Sequence, residues 1–285
     1  MTATLTVVRA GALTTVQDAG RRGHAHLGVP RSGALDAPAL ALANRLVGNA
    51  PGAAVLETTL TGCALRPDHT VTVVVGGAPC PVTVDGRPAA WGVPVRVPAG
   101  AVLDAGGVTA GVRSYVAVAG GIAVEPVLGS RSTDLLSGLG PAQLRPGDVL
   151  PLGTAAPRTP PAHVAPWPAP PTVLPLPLRP GPRADWFTAT ALRTLTAATY
   201  RVSQHSNRIG LRTEGPPLDR VRTGELPSEG MMLGAVQVPP DGRPVVFLHD
   251  HPTTGGYPVI GVVPEAALAA AAQAAAGTPV RFTPG

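Results

Sequence analysis

Prolines and glycines cut most of this chain into short apolar runs, and that punctuation limits what it can fold into. There are 35 of each among 285 residues. They fall between apolar runs rather than in a collagen-like period, which predicts many short strands joined by tight turns. Hydrophobic residues make up 44% of the chain, enough for a core, and 14% are charged, too few for charge-driven disorder. The expected fold is mainly β, a barrel or sandwich with a few short helices.

The stretch Leu226–Pro258 concentrates the most turn-forming and chemically capable residues. Two apolar runs, Gly234–Val238 and Pro244–Leu248, flank Pro239-Pro240-Asp241-Gly242. Asp-Gly between apolar runs predicts a hairpin, because both residues tolerate positive φ. Further strands are expected at Leu5–Val8, Val55–Leu60, Thr70–Val75, Val82–Asp85, Val93–Val97, Val112–Ala119, near Val173–Leu178, and at Pro279–Phe282. Helices are expected at Ala39–Val47, Ala189–Leu195 and Pro264–Ala276. Asp36 or Ser32 is positioned to cap the first of these, with Pro38 in its first turn. Eleven of the 35 prolines lie between Pro157 and Pro182. Proline neither pairs in a sheet interior nor continues a helix, so this reads as a semi-rigid linker. The predicted organisation is a β-rich lobe over 1–154, a linker over 155–182, and a second β-rich lobe with an Ala-rich helix over 183–285.

The formal charge is +5, and all 22 basic residues are arginine. Without lysine the chain can carry no covalent biotin, Schiff base or P-loop lysine. The arginines are scattered, and three each of Trp, Tyr and Phe offer few stacking platforms, so nucleic-acid binding is not expected. Cys63 and Cys80 make neither a disulfide framework nor a metal spacing. No signal peptide and no apolar run of membrane-spanning length is evident, which reads as a soluble cytoplasmic protein without a membrane partner.

Several polar clusters compete for a functional role. Gly129–Asp134 offers backbone N–H groups, hydroxyls and Arg131, the makings of an anion cradle or of an ordinary turn. Ser206-Asn207-Arg208 with Arg212 and Glu214 reads as an anion site or a structural salt bridge. Glu229, between Ser228 and Gly230 and followed by Met231, Met232 and Leu233, is a general acid–base candidate or a backbone cap. His249-Asp250-His251 resembles a metal pair, but no third ligand is at hand, so Asp250 is read as orienting a histidine or a substrate N–H. Thr253–Gly256 offers hydroxyls and N–H groups to an anion. Asn44 and Arg45, in the first helix, stay open between solvent-facing and site roles, and Glu57 is a charge within an apolar run.

Longer motifs carry a resemblance. Thr14–Gly23, Gly28–Asp36, Ala43–Asn49, Ser114–Ile122, Leu128–Thr133, Ser206–Leu218 and the stretch Leu226–Pro258 together resemble the family of the 5-oxoprolinase C subunit, also called KipA. This family is also described as allophanate-hydrolase-subunit-2-like and as biotin-dependent carboxyltransferase. The resemblance implies a cyclophilin-like barrel architecture in two lobes. It implies work beside a KipI-like B subunit and a LamB/YcsF-like A subunit, with ATP and Mg in the complex, on a small-molecule substrate. The implied reaction opens 5-oxoproline to glutamate, with the chain inactive alone. The alternatives are a carboxyltransferase component of a urea-carboxylase-like system and a non-catalytic regulatory partner of a KipI-like protein. Carried onto this chain, it implies catalytic roles for Glu229 and Asp250. It implies substrate or phosphate binding by Arg131, Ser132, Arg208, Gln237, Thr253 and Thr254, and no metal ligand. Two departures stand out. Asn207 replaces the family's common aspartate and His251 its common arginine, which weakens the case for metal or phosphate contacts at those two positions.

Overall fold

A computed structural model describes residues 3–155, 164–222, 224 and 226–285. The chain divides into two compact units, one of Met1–Arg21 with Ser32–Pro170, the other of Arg22–Arg31 with Pro171–Gly285.

The first unit contains β1 (Thr4–Arg9), β2 (Leu13–Gln17), α1 (Ala37–Leu46), β3 (Val55–Thr59), β4 (Cys63–Pro67) and β5 (Val71–Gly77). It continues with β6 (Val82–Val84), β7 (Arg87–Ala89), β8 (Val95–Val97), β9 (Leu103–Ala105), β10 (Arg113–Val118) and β11 (Val149–Pro151). The strands form one sheet in the order β11-β1-β4-β9-β6-β7 and a second in the order β2-β3-β10-β5-β8. One apolar layer joins them, with Leu5, Val7, Leu65 and Leu103 from the first sheet and Val16, Leu56, Val73, Val75 and Val116 from the second. The alternate residues of the second sheet, Val55, Val74, Tyr115 and Ala117, pack instead with Leu40, Ala43 and Leu46 of α1. Both faces of this sheet are thus buried, which is why β5 and β10 read as continuous apolar runs rather than as alternation.

Local chemistry sets the ends of α1. The Asp36 carboxylate accepts from Ala39 N–H at 3.0 Å and caps the helix. Asn44 is buried and donates to Ala53 O at 2.7 Å, while Asn49 reaches Val118 O at 2.8 Å. Asn44 is therefore structural, and Arg45 is exposed. Glu57 is a buried anchor: it accepts from Tyr115 OH at 2.8 Å and Leu35 N–H at 2.9 Å, with Arg113 at 3.7 Å. Burial, reinforced by the Glu57 charge, pushes the Tyr115 hydroxyl well above its ordinary value.

The second unit contains β12 (Leu174–Pro180), α2 (Ala189–Ala197), β13 (Tyr200–Val202), β14 (Gly210–Glu214), β15 (Glu229–Gly230) and β16 (Ala235–Gln237). It ends with β17 (Val245–Phe247), β18 (Thr254–Gly255), β19 (Val259–Val262), α3 (Glu265–Gln273) and β20 (Pro279–Pro284). Seven of these strands close a barrel, β12-β19-β16-β17-β14-β13-β20, and β15 pairs with β18 as a separate ribbon. The predicted hairpin is β16 and β17, with Val236 opposite Val246. The mainly β, barrel-containing fold expected from the sequence is present.

The proline-rich stretch differs from the linker predicted over 155–182. Residues 156–163 lie outside the described residues. Trp167 belongs to the first unit: it donates to Gly92 O at 2.9 Å, and a Cβ on Gly76 would lie 2.0 Å from its ring. Leu174–Pro180 is a barrel strand with Leu174 and Leu176 fully buried. Proline is tolerated there because of the alternation. Gly285 N–H donates to Leu178 O, so the even-numbered residues of β12 bond toward β20. Pro175 and Pro177 place their missing N–H on the other edge, where β19 pairs only at Arg179 and Pro180.

Candidate functional site

In the first unit, the loop expected to cradle an anion already holds one, and it belongs to the protein. Leu128 and Gly129 both have positive φ, 51° and 78°, and make a tight two-residue turn between Val127 and Ser130. The turn aims the next groups at Asp18. Ser130 and Ser132 hydroxyls each donate to Asp18 Oδ1 at 2.6 Å, and Gly20 N–H at 2.8 Å. Arg131 N–H donates to Oδ2 at 2.6 Å. The Arg131 side chain donates through Nε to Val124 O at 2.7 Å. Arg21, buried, reaches Ser32 Oγ at 3.0 Å and Ser132 O at 2.5 Å. Ser132 itself is fully buried. The Ser130 and Ser132 hydroxyls and the Arg131 N–H and Nε, which the sequence offers to an external phosphate, are thus engaged within the unit. Asp18, Arg21 and Ser32 were not singled out from the sequence as site residues, although Asp18 and Arg21 stand in the Thr14–Gly23 motif.

In the second unit, most of the other predicted residues converge on the β15–β18 ribbon. Glu229 lies opposite Gly255, and Gly230 opposite Thr254. Met231 N–H donates to Thr253 O at 2.8 Å. Gln237, buried on the barrel wall, donates to Tyr257 O at 3.0 Å. Its amide lies 2.8 Å from where a Cβ on Gly255 would sit, so the ribbon approaches the barrel closely at this glycine. Thr254 and Gly255 are extended, so their N–H groups alternate in direction instead of curling around one anion as Thr253–Gly256 was expected to do.

Glu229 has a partner that sequence reasoning missed. Arg183 Nε donates to Glu229 Oε2 at 3.1 Å and its Nη2 to Oε1. The side chains are 35% and 29% exposed. Hydrogen bonds from Arg183 hold the Glu229 carboxyl below its ordinary value despite partial desolvation. Glu229 is therefore an anion suited to accept a hydrogen bond from an N–H and not to act as an acid. Forty-six residues separate the two, and nothing local in the sequence marks Arg183.

Asp250 and Arg208 occupy a different setting. They form a two-pronged pair, Nε–Oδ2 at 2.9 Å and Nη2–Oδ1 at 3.0 Å. Asp250 is 0% exposed and Arg208 1%. Asp250 N–H also donates to Arg208 O at 3.1 Å. The structure thus separates Arg208 and Asp250 from surface contact and ties them to each other. His251 Nδ1 lies 2.7 Å from Pro252 O, and its ring is 5.9 Å from that of Phe247. Among the described residues no group of three His, Cys, Asp or Glu side chains is arranged to hold a metal ion.

Beside the ribbon lies a cavity of about 440 Å³, lined by Trp186, Arg220, Leu226, Tyr257 and Pro258 among others. Its walls adjoin the Glu229 pair at two points. Gly256 follows the residue paired with Glu229, and Trp186 N–H donates to Arg183 O at 3.1 Å. Arg220 donates to Val238 O, and burial lowers its pKa from the ordinary arginine value. The cavity itself supplies a partly buried guanidinium and an aromatic wall, at a size suited to a small polar ligand, and the Glu229 carboxylate stands on the adjoining ribbon.

Comparison with known proteins agrees along nearly the whole chain. A family described as "Carboxyltransferase domain, subdomain A and B" matches residues 27–284. The C subunit of the 5-oxoprolinase of Escherichia coli (strain K12) is 38% identical over 98% of this chain and 90% of its own length. The urea amidolyase of Lachancea kluyveri is 34% identical over 98% of this chain but only 17% of its own. The crystal structure of TTHA0988 superposes with a TM-score of 0.89 at 38% identity, over 99% of this chain and 56% of that one. The present chain thus spans little more than half of that solved protein. No helix among the described residues is long and apolar enough to cross a membrane.

Proposed function

Because the chain belongs to the carboxyltransferase-domain family, subdomains A and B, we propose that it serves as the C component of an ATP-dependent 5-oxoprolinase. In this reading it works with a KipI-like B component and a LamB/YcsF-like A component, with ATP and Mg bound in the complex, and is inactive alone. The observation that carries the reading is the Arg183-held Glu229 beside a cavity of about 440 Å³, in a chain so similar to the C component of a 5-oxoprolinase.

The chemistry asks for groups of this kind. The γ-phosphoryl group of ATP passes to the lactam oxygen and ADP leaves. Water adds to the activated carbon, the ring C–N bond breaks, and phosphate departs. Glu229, held in place as an anion by Arg183, accepts a hydrogen bond from the ring N–H and orients the attacking water. Arg220, on the cavity wall, is suited to receive the substrate carboxylate or transferred phosphate. The hydroxyls of Thr253 and Thr254, at the neighbouring ribbon, are further donors in this reading. Gln237 holds the Tyr257 backbone and so positions the aromatic wall. Asp250 and Arg208 act as positioning residues that fix the loop leading into β18.

The test is to co-purify the chain with its KipI-like and LamB/YcsF-like partners and measure glutamate formed from 5-oxoproline with ATP. Stoichiometric glutamate and ADP support the reading, and a folded complex without that activity ends it. The similarity to urea amidolyase favours one second reading, a carboxyltransferase component acting on carboxybiotin. With no lysine here, the biotin must sit on another chain. A streptavidin-reactive partner would move the assignment there.

A further inference from the structure

A second polar cavity, of about 680 Å³, opens on the barrel and shares no lining residue with the one beside Glu229. Its walls carry Arg212, Glu214, Arg243, His205 and Asn207. The first two belong to a motif that the proposed reaction does not use.

Strand register places these groups on one face. Arg212 lies opposite Val245 in the β14–β17 pair, and Thr213 N–H donates to Pro244 O at 3.2 Å. Continued by one step, the register sets Glu214 opposite Arg243, and Arg212 becomes Arg243's diagonal neighbour. On its other side Glu214 faces Arg201 of β13. Arg201 turns away to donate to Gly277 O at 3.0 Å. Among the described residues neither Arg212 nor Arg243 has a carboxylate within ion-pair distance, and neither does Glu214 have a guanidinium. Two like charges and an unpaired carboxylate therefore line one concavity. Asn207 commits its carbonyl oxygen to the Ile209 and Gly210 N–H groups, at 2.9 and 3.2 Å, which leaves its NH₂ end to donate. Asp241, the other acidic wall residue, accepts from Arg243 N–H at 3.1 Å and is partly engaged in its own turn.

A bare polyanion such as phosphate suits this cavity poorly, because Glu214 and Asp241 repel it. A ligand with two carboxylates and one ammonium matches it group for group. We infer that this cavity binds a free acidic amino acid, with Arg212 and Arg243 receiving the two carboxylates and Glu214 the ammonium. The site is read from its own geometry and stands whether or not the chain takes part in lactam opening. If it does, the ligand class includes the product, and the cavity becomes a place where product level is sensed or product released.

The test uses the 285-residue chain alone, without ATP or partners, so failure of the catalytic reading does not affect it. Isothermal titration with L-glutamate, glutarate and 4-aminobutyrate compares the full group set with ligands lacking the ammonium or one carboxylate. Expected is saturable glutamate binding, with glutarate and 4-aminobutyrate at least ~10-fold weaker. Arg212→Gln and Arg243→Gln should each weaken glutamate by ~10-fold or more, and Glu214→Gln should abolish the preference over glutarate. All three positions are exposed, and unchanged circular dichroism verifies the fold. No saturable glutamate binding, equal binding of glutarate, or indifference to all three substitutions would overturn the inference.

Discussion

Two of the arginine–carboxylate pairs in the barrel unit share their chemistry but sit in opposite surroundings. Arg208 and Asp250 are at most 1% exposed and meet through two contacts near 3 Å. Arg183 and Glu229 are about one-third exposed, on a ribbon beside a cavity. Taking two charges fully out of water is costly and is offset only by excellent geometry, so the buried pair has little freedom to exchange its partner for a substrate. The half-exposed pair suffers less desolvation and can share its carboxylate with a ligand N–H. The contrast teaches that a carboxylate's residue type and motif do not settle its role. Burial and partner do.

The largest effect should come from breaking the buried pair. Asp250→Ala leaves Arg208 charged in a dry site, and a loss of ~3–5 kcal/mol in unfolding free energy is expected by denaturant titration. Arg208→Ala should cost a similar amount, and the double variant clearly less than the sum. Additive losses would mean that the two act independently.

Asp18 sharpens the comparison, because it is a buried carboxylate held mainly by neutral donors. Asp18→Ala strands the Ser130 and Ser132 hydroxyls and the Gly20 and Arg131 N–H groups. A loss of about 1–3 kcal/mol is expected, with partial recovery in added formate or acetate as a small anion refills the cradle. Unchanged stability would show that the loop does not depend on its internal anion.

The smallest effect concerns pH. Glu229 has a folded-state pKa below its ordinary 4.5, so the folded state binds its proton less readily than the unfolded state. The stability this contributes is present above that ordinary value and is lost as pH falls through the lowered one. Acid titrations of wild type and Glu229→Gln should therefore converge at low pH, separate as pH rises toward 4.5, and keep a constant separation above it. Parallel curves at every pH would mean that Arg183 does not hold the carboxylate ionised.

Much of the fold was legible in the sequence because its signals are local. Asp241-Gly242 marked the β16–β17 hairpin, Asp36 capped α1, and the Ala-rich run gave α3. Leu174–Pro180 was legible as a strand near Val173–Leu178 yet was also counted within the linker, because the rule that proline avoids strands depends on which edge needs an N–H, and that is set by β20, where Val280 lies beside Leu174. The site shows the same division. Glu229, Gln237, Thr253 and Thr254 share a neighbourhood that their shared stretch foreshadowed. Arg183 was invisible, since 46 residues separate it from Glu229 and no local pattern marks the pairing. Asp18 was hidden by its own success: the loop Gly129–Asp134 has the chemistry of an anion site, and the anion is covalently part of the chain.

The measurement closest to the central claim is ATP-dependent glutamate formation by the assembled complex carrying Glu229→Gln, with the variant's stability taken alongside. A rate lower by ~10²–10⁴-fold, with an unfolding transition close to that of wild type, is the predicted result. A folded complex that keeps the wild-type rate with Glu229→Gln would contradict the assignment of chemistry to the exposed pair.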